Sequence, residues 1–157
     1  MEGGSFAWLN AKTCAIGIGV RVNREGAEQV GEVLRRQGVE LLIVELTGYD
    51  IHLDVSFLMI DRDLALLNPM GLPYSFLEQL TARGIRYIEI DPADDPWINN
   101  SLAIAPGKLL MPEGASNRTL DRLAAHGVTW TTIPYAAVQK NGGGLHCSTT
   151  PLRRDPV

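Results

Sequence analysis

The sequence predicts an α/β protein built from a repeated ββαβ unit. Three segments share one pattern, in which an amphipathic stretch of helical period is followed by a glycine and then by a short β-rich run. The glycines are Gly38, Gly84 and Gly127, which recur at intervals of 46 and 43 residues. Two predicted strands joined by a polar turn precede each amphipathic stretch. Because a unit with a one-sided apolar face must stack on copies of itself, the repeat predicts a fan of units around a central site.

The first unit covers about residues 1–47. Its strands are predicted at Phe6–Leu9, Cys14–Ile18 and Val39–Leu46. Asn23 is the expected N-cap of the helix, and Glu25 lies in the first turn, where an acid interacts favourably with the helix dipole. The apolar face of this helix is predicted to comprise Ala27, Val30, Val33 and Leu34.

The second and third units cover about residues 48–91 and 97–134. Strands of the second unit are predicted at Ile51–Ile60, Leu64–Leu67 and Ile85–Ile90, and those of the third at Ser101–Ala105, Lys108–Met111 and Val128–Ile133. The third helix is expected to start near Ser116 or Asn117. The Gly-rich segment within residues 140–157 is expected to supply one further strand. The acidic run Asp91–Trp97 is predicted to be a solvated loop, with a role at the border of the site as the alternative.

Composition indicates one globular domain, residues 1–157. The chain is 45% hydrophobic and 20% charged, which is enough for a core of its own. The net charge is −4 and no basic cluster is longer than an Arg-Arg pair, so we expect no nucleic-acid partner and a small cationic substrate instead. The sequence has no 18-residue apolar run, no secretory leader and only two cysteines, which predicts a cytoplasmic protein without a membrane partner.

The stretch from Asn141 to Thr150 is the strongest candidate for chemistry. Three consecutive glycines there precede His146 and Cys147. Such glycines let the backbone adopt positive φ and let a ligand approach closely. Cys147 is flanked by a histidine and hydroxyl residues rather than by apolar ones, which favours a nucleophilic thiol, with a buried structural thiol as the alternative.

A nucleophilic thiol needs a base, and the chain has three histidines. His126 precedes a glycine at a predicted helix end, where a cation suits the helix dipole. His146 adjoins Cys147, but in an extended segment the two side chains would point to opposite faces. His52 is therefore the best candidate for the base.

The surroundings of His52 also contain acids. In the predicted strand Ile51–Ile60 every second residue is apolar, so His52 and Asp54 should lie together on the opposite, polar face. The alternative is that this polar face is merely solvated. Glu2 lies beside glycines at a strand entrance, and a carboxylate there could orient His52 and fix its tautomer.

Four motifs, in this order along the chain, resemble those of the guanidino-group-modifying (pentein) superfamily. They are Met1–Gly4, Gly17–Asn23, His52–Phe57 and Gly142–Cys147. Arginine deiminases, dimethylarginine dimethylaminohydrolases and amidinotransferases belong to this superfamily, and the resemblance spans essentially the whole chain. It implies a partial α/β-propeller of about three ββαβ units plus a final strand.

The resemblance also implies a hydrolase or amidinotransferase that acts on arginine, or a similar guanidino compound, through a covalent amidino-thioether. It makes Cys147 the nucleophile, His52 the general acid/base and Glu2 the acid paired with that histidine. The implied substrate-binding residues are Asp54, Arg21 and Gly144. The sequence departs from the family at Ser5 and Val22, where an Asp and a Thr are usual.

Length is the larger departure from the family. The family ring has five units and a further guanidinium-binding aspartate, in a part that would precede residue 1. We therefore expect the C-terminal part of a longer enzyme, or a short form completed by another chain or by homo-oligomerisation. The alternative function is a non-catalytic fragment or guanidino-binding module.

Two cofactor interpretations do not fit the sequence. Gly17–Gly19 lacks the third glycine of a dinucleotide-binding fingerprint. His52, Asp54, His146 and Cys147 contain no short ligand pair typical of metal sites, and a nucleophilic thiolate must stay free. We expect neither a metal nor an organic cofactor.

Overall fold

The computed structural model describes residues 1–152, which contain nine strands and four α-helices. The strands are β1 Phe6–Asn10, β2 Thr13–Ile18, β3 Glu40–Glu45, β4 Phe57–Met59, β5 Leu64–Leu67, β6 Arg86–Glu89, β7 Leu102–Ala105, β8 Lys108–Pro112 and β9 Thr129–Ile133. The helices are α1 Arg24–Arg35, α2 Tyr74–Ala82, α3 Asn117–Ala125 and α4 Ala136–Gln139.

The strands form three sheets of three strands with one topology. The orders are β1-β2-β3, β4-β5-β6 and β7-β8-β9. In each sheet the first two strands are antiparallel, and the third returns through a helix to lie parallel to the second. The predicted fold class, a partial α/β-propeller of ββαβ units, is confirmed.

The same turn connects the helix to the last strand in all three units. Gly38, Gly84 and Gly127 have φ of +74°, +72° and +74°, in the left-handed region that favours glycine. The residue after each glycine donates its N–H to the carbonyl of a leucine four residues before the glycine, at 3.0 Å in every case. The spacing seen in the sequence is therefore a repeated capping motif that turns each helix into a parallel strand.

The predicted N-cap of α1 and the predicted start of α3 are confirmed, but the predicted apolar face of α1 is wrong at one position. The side chain of Asn23 accepts a hydrogen bond from the N–H of Gly26, and that of Ser116 accepts one from Thr119. Val33 is 55% exposed. The reason is that α1 approaches the third strand through Gly31, where an added Cβ would lie 3.3 Å from Leu41, and this rotates Val33 toward solvent.

The middle sheet is buried on both faces. Alternate residues of β5 point in opposite directions: Ala65 and Leu67 join the core cluster shared with the first unit, while Leu64 and Leu66 join the one shared with the third. All four are at most 2% exposed. The three units therefore stack face to face as the repeat predicts, and this stacking brings the starts of their first strands together.

The predicted strand Ile51–Ile60 is wrong over its first half. Leu53–Val55 forms a 3₁₀ turn, and β4 begins only at Phe57. The last ladder bond at this end runs from the N–H of Asn68 to the carbonyl of Ser56. Ser56 does not return this bond, because its own N–H donates to the carbonyl of Leu53 within the turn, and the pairing ends there.

The predicted final strand is also wrong. Residues 140–152 form no strand and instead contain a 3₁₀ turn at His146–Ser148. The remainder of the predicted segment, residues 153–157, lies outside the described residues. No helix within residues 1–152 combines the length and the apolar character needed to cross a bilayer.

The acidic run Asp91–Trp97 is a loop that is only partly solvated. Asp91 is 7% exposed, and the carboxylate of Asp94 accepts hydrogen bonds from Ser116 and Thr119 at the start of α3. The run therefore ties the second unit to the third helix. It ends in a 3₁₀ turn, Pro96–Ile98, that is capped by the side chain of Asp95.

We expect Gly84→Ala to lower the free energy of unfolding by about 1 to 2 kcal/mol, because alanine resists the left-handed conformation. Gly143→Ala is the matched control. Neither glycine has an atom within 4 Å of an added Cβ, but only Gly84 has positive φ. Urea denaturation measures both variants. An equal cost at the two positions would contradict the assigned capping motif.

Candidate active site

Glu2 and His52 form a hydrogen-bonded pair in front of the first sheet. Glu2 precedes the 3₁₀ turn Gly3–Ser5, and its Oε2 accepts from His52 Nε2 at 2.5 Å. This bond lowers the pKa of Glu2, with a smaller contribution from Arg21, whose Nη1 lies 3.5 Å from Oε1. Because an ionised carboxylate only accepts, Nε2 carries the proton, and Nδ1 is the nitrogen of His52 that Glu2 leaves free.

His52 and Asp54 converge on the backbone of Gly4. A Cβ added there would lie 2.8 Å from His52 Nδ1 and 3.2 Å from Asp54 Oδ1. Both atoms thus pack against the backbone of Gly4, where any side chain would collide with them. The two side chains lie close together, as the sequence predicts, but the 3₁₀ turn at Leu53–Val55 brings this about rather than strand alternation.

The carboxylate of Asp54 lies at the centre of the site. Asp54 is 5% exposed, and its Oδ2 accepts a hydrogen bond from His146 Nδ1 at 2.9 Å. The same oxygen lies 3.5 Å from Cys147 Sγ. Oδ1 is buried and has no hydrogen-bond partner within residues 1–152. An unpaired buried carboxylate oxygen is costly, so this atom is a ready acceptor for a cationic N–H donor.

Cys147 is the exposed one of the two cysteines. Burial of Sγ by the surrounding loop raises the pKa of this thiol, and the negative charge of Asp54 raises it further. Cys14 is completely buried, and burial raises the pKa of its thiol to about 11. At neutral pH both are thiols, but only Cys147 is exposed enough for a reagent in solution to reach it.

Sequence reasoning misplaced one site residue and missed another. His146 was expected to point away from Cys147, but the 3₁₀ turn His146–Ser148 lacks the two-residue period of a strand, so both side chains reach Asp54. Asn100 is completely buried and contacts both Asp54 and Cys147. Its polar neighbourhood before a strand resembles an ordinary loop, so hydropathy held no signal for it.

The three glycines of the final loop differ in their roles. Gly142 alone has positive φ, at +78°. Gly144 is buried, and a Cβ added there would lie 2.1 Å from Oδ1 of Asn100. The close approach expected of this segment is therefore an approach to another part of the chain. Among the described side chains, no group of three His, Cys, Asp or Glu is arranged to hold a metal ion.

We expect Asp54→Asn to change the reactivity of Cys147 in opposite directions toward two reagents. Removing the carboxylate should lower the thiol pKa, so neutral iodoacetamide should react faster at about pH 7.5. The cation 2-chloroacetamidine should react roughly tenfold more slowly, because its charge partner is lost. Mass spectrometry of the alkylated chain gives both rates.

Asp63→Asn is the control for this prediction, because Asp63 pairs with Arg86 on the surface. It should leave both rates unchanged. A parallel fall of both rates in Asp54→Asn would show that the carboxylate does not act on the thiol electrostatically.

Comparison with curated proteins finds arginine deiminases. That of Mycobacterium avium (strain 104) is 27% identical over 190 residues, covering 100% of this chain and 47% of the relative. That of Rhodococcus erythropolis (strain PR4 / NBRC 100887) is 27% identical over 191 residues, with the same coverage. The chain thus spans about half the length of the curated relatives it matches. No family model matches the sequence.

Comparison with solved structures finds enzymes of one fold. A dimethylarginine dimethylaminohydrolase from Pseudomonas aeruginosa, complexed with citrulline, gives a TM-score of 0.74 at 22% identity, covering 92% of this chain and 52% of that one. SxtG, an amidinotransferase from Microseira wollei, gives a TM-score of 0.80 at 14% identity, and the match covers 93% of this chain and 46% of that one. The N-terminal domain of ArgZ, an arginine dihydrolase from Cyanobacteria, gives a TM-score of 0.79 at 18% identity, and the match covers 92% of this chain and 53% of that one.

Proposed function

Because the chain has the fold of the guanidino-modifying pentein superfamily and its whole sequence aligns with arginine deiminases, we propose that it carries the catalytic groups of a cysteine-dependent enzyme acting on arginine or a similar guanidino compound. The single observation that carries this proposal is the Asp54 carboxylate. One of its oxygens is 3.5 Å from the Cys147 thiol and the other is buried and unpaired.

A guanidinium fits this arrangement by charge and by shape. It is planar and positive, and it presents N–H donors in pairs to a carboxylate. A guanidinium that donates to the Asp54 carboxylate would bring its central carbon near Cys147 Sγ, which lies 3.5 Å from Oδ2. Arg21, which lies next to Glu2, is the proposed partner of a substrate carboxylate.

The raised pKa of Cys147 favours a cationic substrate. A bound guanidinium offsets the charge of Asp54, so the thiol loses its proton more readily once substrate is present. The thiol proton passes to His52, the thiolate sulfur forms a bond to the guanidino carbon, and the C=N electron pair moves onto nitrogen. His52 protonates the departing nitrogen, the C–N bond breaks, and an amidino-thioether to Cys147 remains.

The second half of the reaction releases the thiol. Water adds to the amidino carbon in a hydrolase, and an acceptor amine adds in a transferase; in both cases the nucleophile gives a proton to His52. The C–S bond then breaks, and His52 returns the proton to the sulfur of Cys147. The ionised Glu2 stabilises the positive charge that His52 carries between these proton transfers. A reducing compartment such as the cytoplasm would keep Cys147 a free thiol, and we propose that location.

Covalent labelling tests the assigned nucleophile. We expect Cys147→Ser to abolish modification by 2-chloroacetamidine, while Cys14→Ser leaves it unchanged, because the Cys14 thiol is buried and has a pKa of about 11. Intact-mass spectrometry counts the adducts. Equal labelling of Cys147→Ser and the parent chain would place the reactive group elsewhere and defeat the proposal.

A second candidate function is a guanidino-binding module without turnover. The raised pKa of Cys147 favours it, because a protonated thiol leaves Asp54 as a binding group only. Mixing the chain with equimolar arginine and searching for an arginine-derived adduct on Cys147 separates the two functions. Binding seen by calorimetry without any adduct or product would favour the module.

The chain by itself should self-associate and act feebly on arginine. Trp8 and Ile104 are 48% and 60% exposed on the edge strands β1 and β7, where unpaired backbone groups and apolar surface invite association. The resemblance implies five units and another guanidinium-binding aspartate. The absence of that aspartate would raise the activation free energy by on the order of 2 to 5 kcal/mol, which lowers the rate roughly 30-fold to several-thousand-fold.

Light scattering and a citrulline or urea assay test these expectations, with Cys147→Ser as the blank. We propose that further ββαβ units, on the same chain or supplied separately, restore activity. A monodisperse monomer that turns over arginine at an ordinary enzymatic rate would contradict both expectations.

A further inference from the structure

Asn100 is a buried polar residue to which the proposed chemistry assigns no role. It lies between the turn Pro96–Ile98 and strand β7, and it is completely buried. Its side chain donates from Nδ2 to the carbonyl of Asp54 at 3.1 Å and accepts at Oδ1 from the N–H of Cys147 at 3.2 Å. One amide thus joins the backbone of the central carboxylate to the backbone of the thiol.

The backbone of Asn100 is tied to its own turn and to the final loop. Its N–H donates to the carbonyl of Trp97, and its own carbonyl accepts from the N–H of His146 at 3.1 Å. Three separate segments of the chain therefore meet at this residue: the turn that carries Asp54, the turn that begins the third unit, and the final loop. A hydrogen-bonded buried amide of this kind has one favourable orientation, because any rotation would leave polar groups unpaired.

Gly144 adapts the final loop to this amide. An added Cβ would lie 2.1 Å from Oδ1, 2.5 Å from Cγ and 2.7 Å from Cβ of Asn100, all closer than real contacts allow. The loop can approach Asn100 closely enough for the bond from Cys147 N only because residue 144 has no side chain. The requirement for glycine at position 144 thus follows from Asn100.

We propose that Asn100 is a positioning residue, which sets the separation of the Asp54 carboxylate and the Cys147 thiol so that one guanidinium can contact both. The inference rests on the proposed function of that pair. Neither atom of the Asn100 amide needs to touch substrate, because both its bonds go to backbone groups of the residues that do. Asn100 also connects the acidic run Asp91–Trp97 to the site, because it lies just after the 3₁₀ turn that Asp95 caps.

The test is the preference of Cys147 for a cationic over a neutral reagent. For each variant, the alkylation rate with 2-chloroacetamidine is divided by that with iodoacetamide, which cancels changes in thiol exposure that affect both reagents alike. Asn100→Ala should lower this ratio by about tenfold, because a displacement of about 1 Å between the thiol and its carboxylate is enough for such an effect. The pH midpoint for iodoacetamide should rise as well, because Asn100 contributes to lowering the Cys147 pKa.

Asn99→Ala is the matched control. Asn99 is as buried as Asn100, and its substitution by alanine removes the same atoms. Its side chain makes no hydrogen bond within residues 1–152. It should leave the ratio at the parent value. An unchanged ratio in Asn100→Ala, or an equal fall in both variants, would overturn the positioning role while leaving the proposed function standing.

The two proposals fail in different ways. If the parent chain shows no more preference for the cation than glutathione does, the Asp54–Cys147 pair does not bind guanidino groups, and both proposals are overturned.

If Asn100→Ala does not fold by circular dichroism, Gly144→Ala provides the same test, since its methyl group displaces the amide from Cys147 N. The expected result is again about a tenfold fall in the ratio, and an unchanged ratio overturns the inference.

Discussion

The burial of one carboxylate organises this site. Asp54 is 5% exposed, and a charge removed from water must be matched by donors or it destabilises the fold. His146 matches one oxygen, and Asn100 anchors the backbone carbonyl of the same residue. The second oxygen has no partner among the described residues. The fold therefore holds a negative charge in place while leaving half of its hydrogen-bonding capacity for a ligand.

The repeat explains how residues far apart in sequence reach this carboxylate. Each unit begins with a 3₁₀ turn just before its first strand, at Gly3–Ser5, Leu53–Val55 and Pro96–Ile98, and a fourth such turn, His146–Ser148, follows the third unit. The groups of the site lie in or beside these turns: Glu2, His52, Asp54, Asn100, His146 and Cys147. Stacking three sheets face to face brings equivalent turns together, so a site forms at one end of the fan without any long loop.

The parts of the fold that sequence predicts well are those with local physical signatures. Gly38 and its two counterparts mark a capping motif that needs positive φ, and Asn23 is an N-cap by its chemistry. The strand before Phe57 was overpredicted, because alternation of apolar residues does not show that Ser56 bonds back to Leu53 instead of to the partner strand. A 3₁₀ turn has no recognisable period, so the direction of His146 was missed. Asn100 is buried by tertiary contacts alone, and these leave no trace in a local pattern.

Two histidines each contact a carboxylate here, and the two pairs differ in which ring nitrogen is bonded. His146 donates from Nδ1 to Oδ2 of Asp54 and so fixes the direction of that carboxylate. His52 donates from Nε2 to Glu2, while its Nδ1 and the unpaired Oδ1 of Asp54 both lie against the backbone of Gly4. A side chain at residue 4 would collide with both groups, so the glycine is what allows them to lie side by side. His146 therefore orients the carboxylate, whereas His52 keeps a ring nitrogen that Glu2 does not occupy close to the unpaired oxygen.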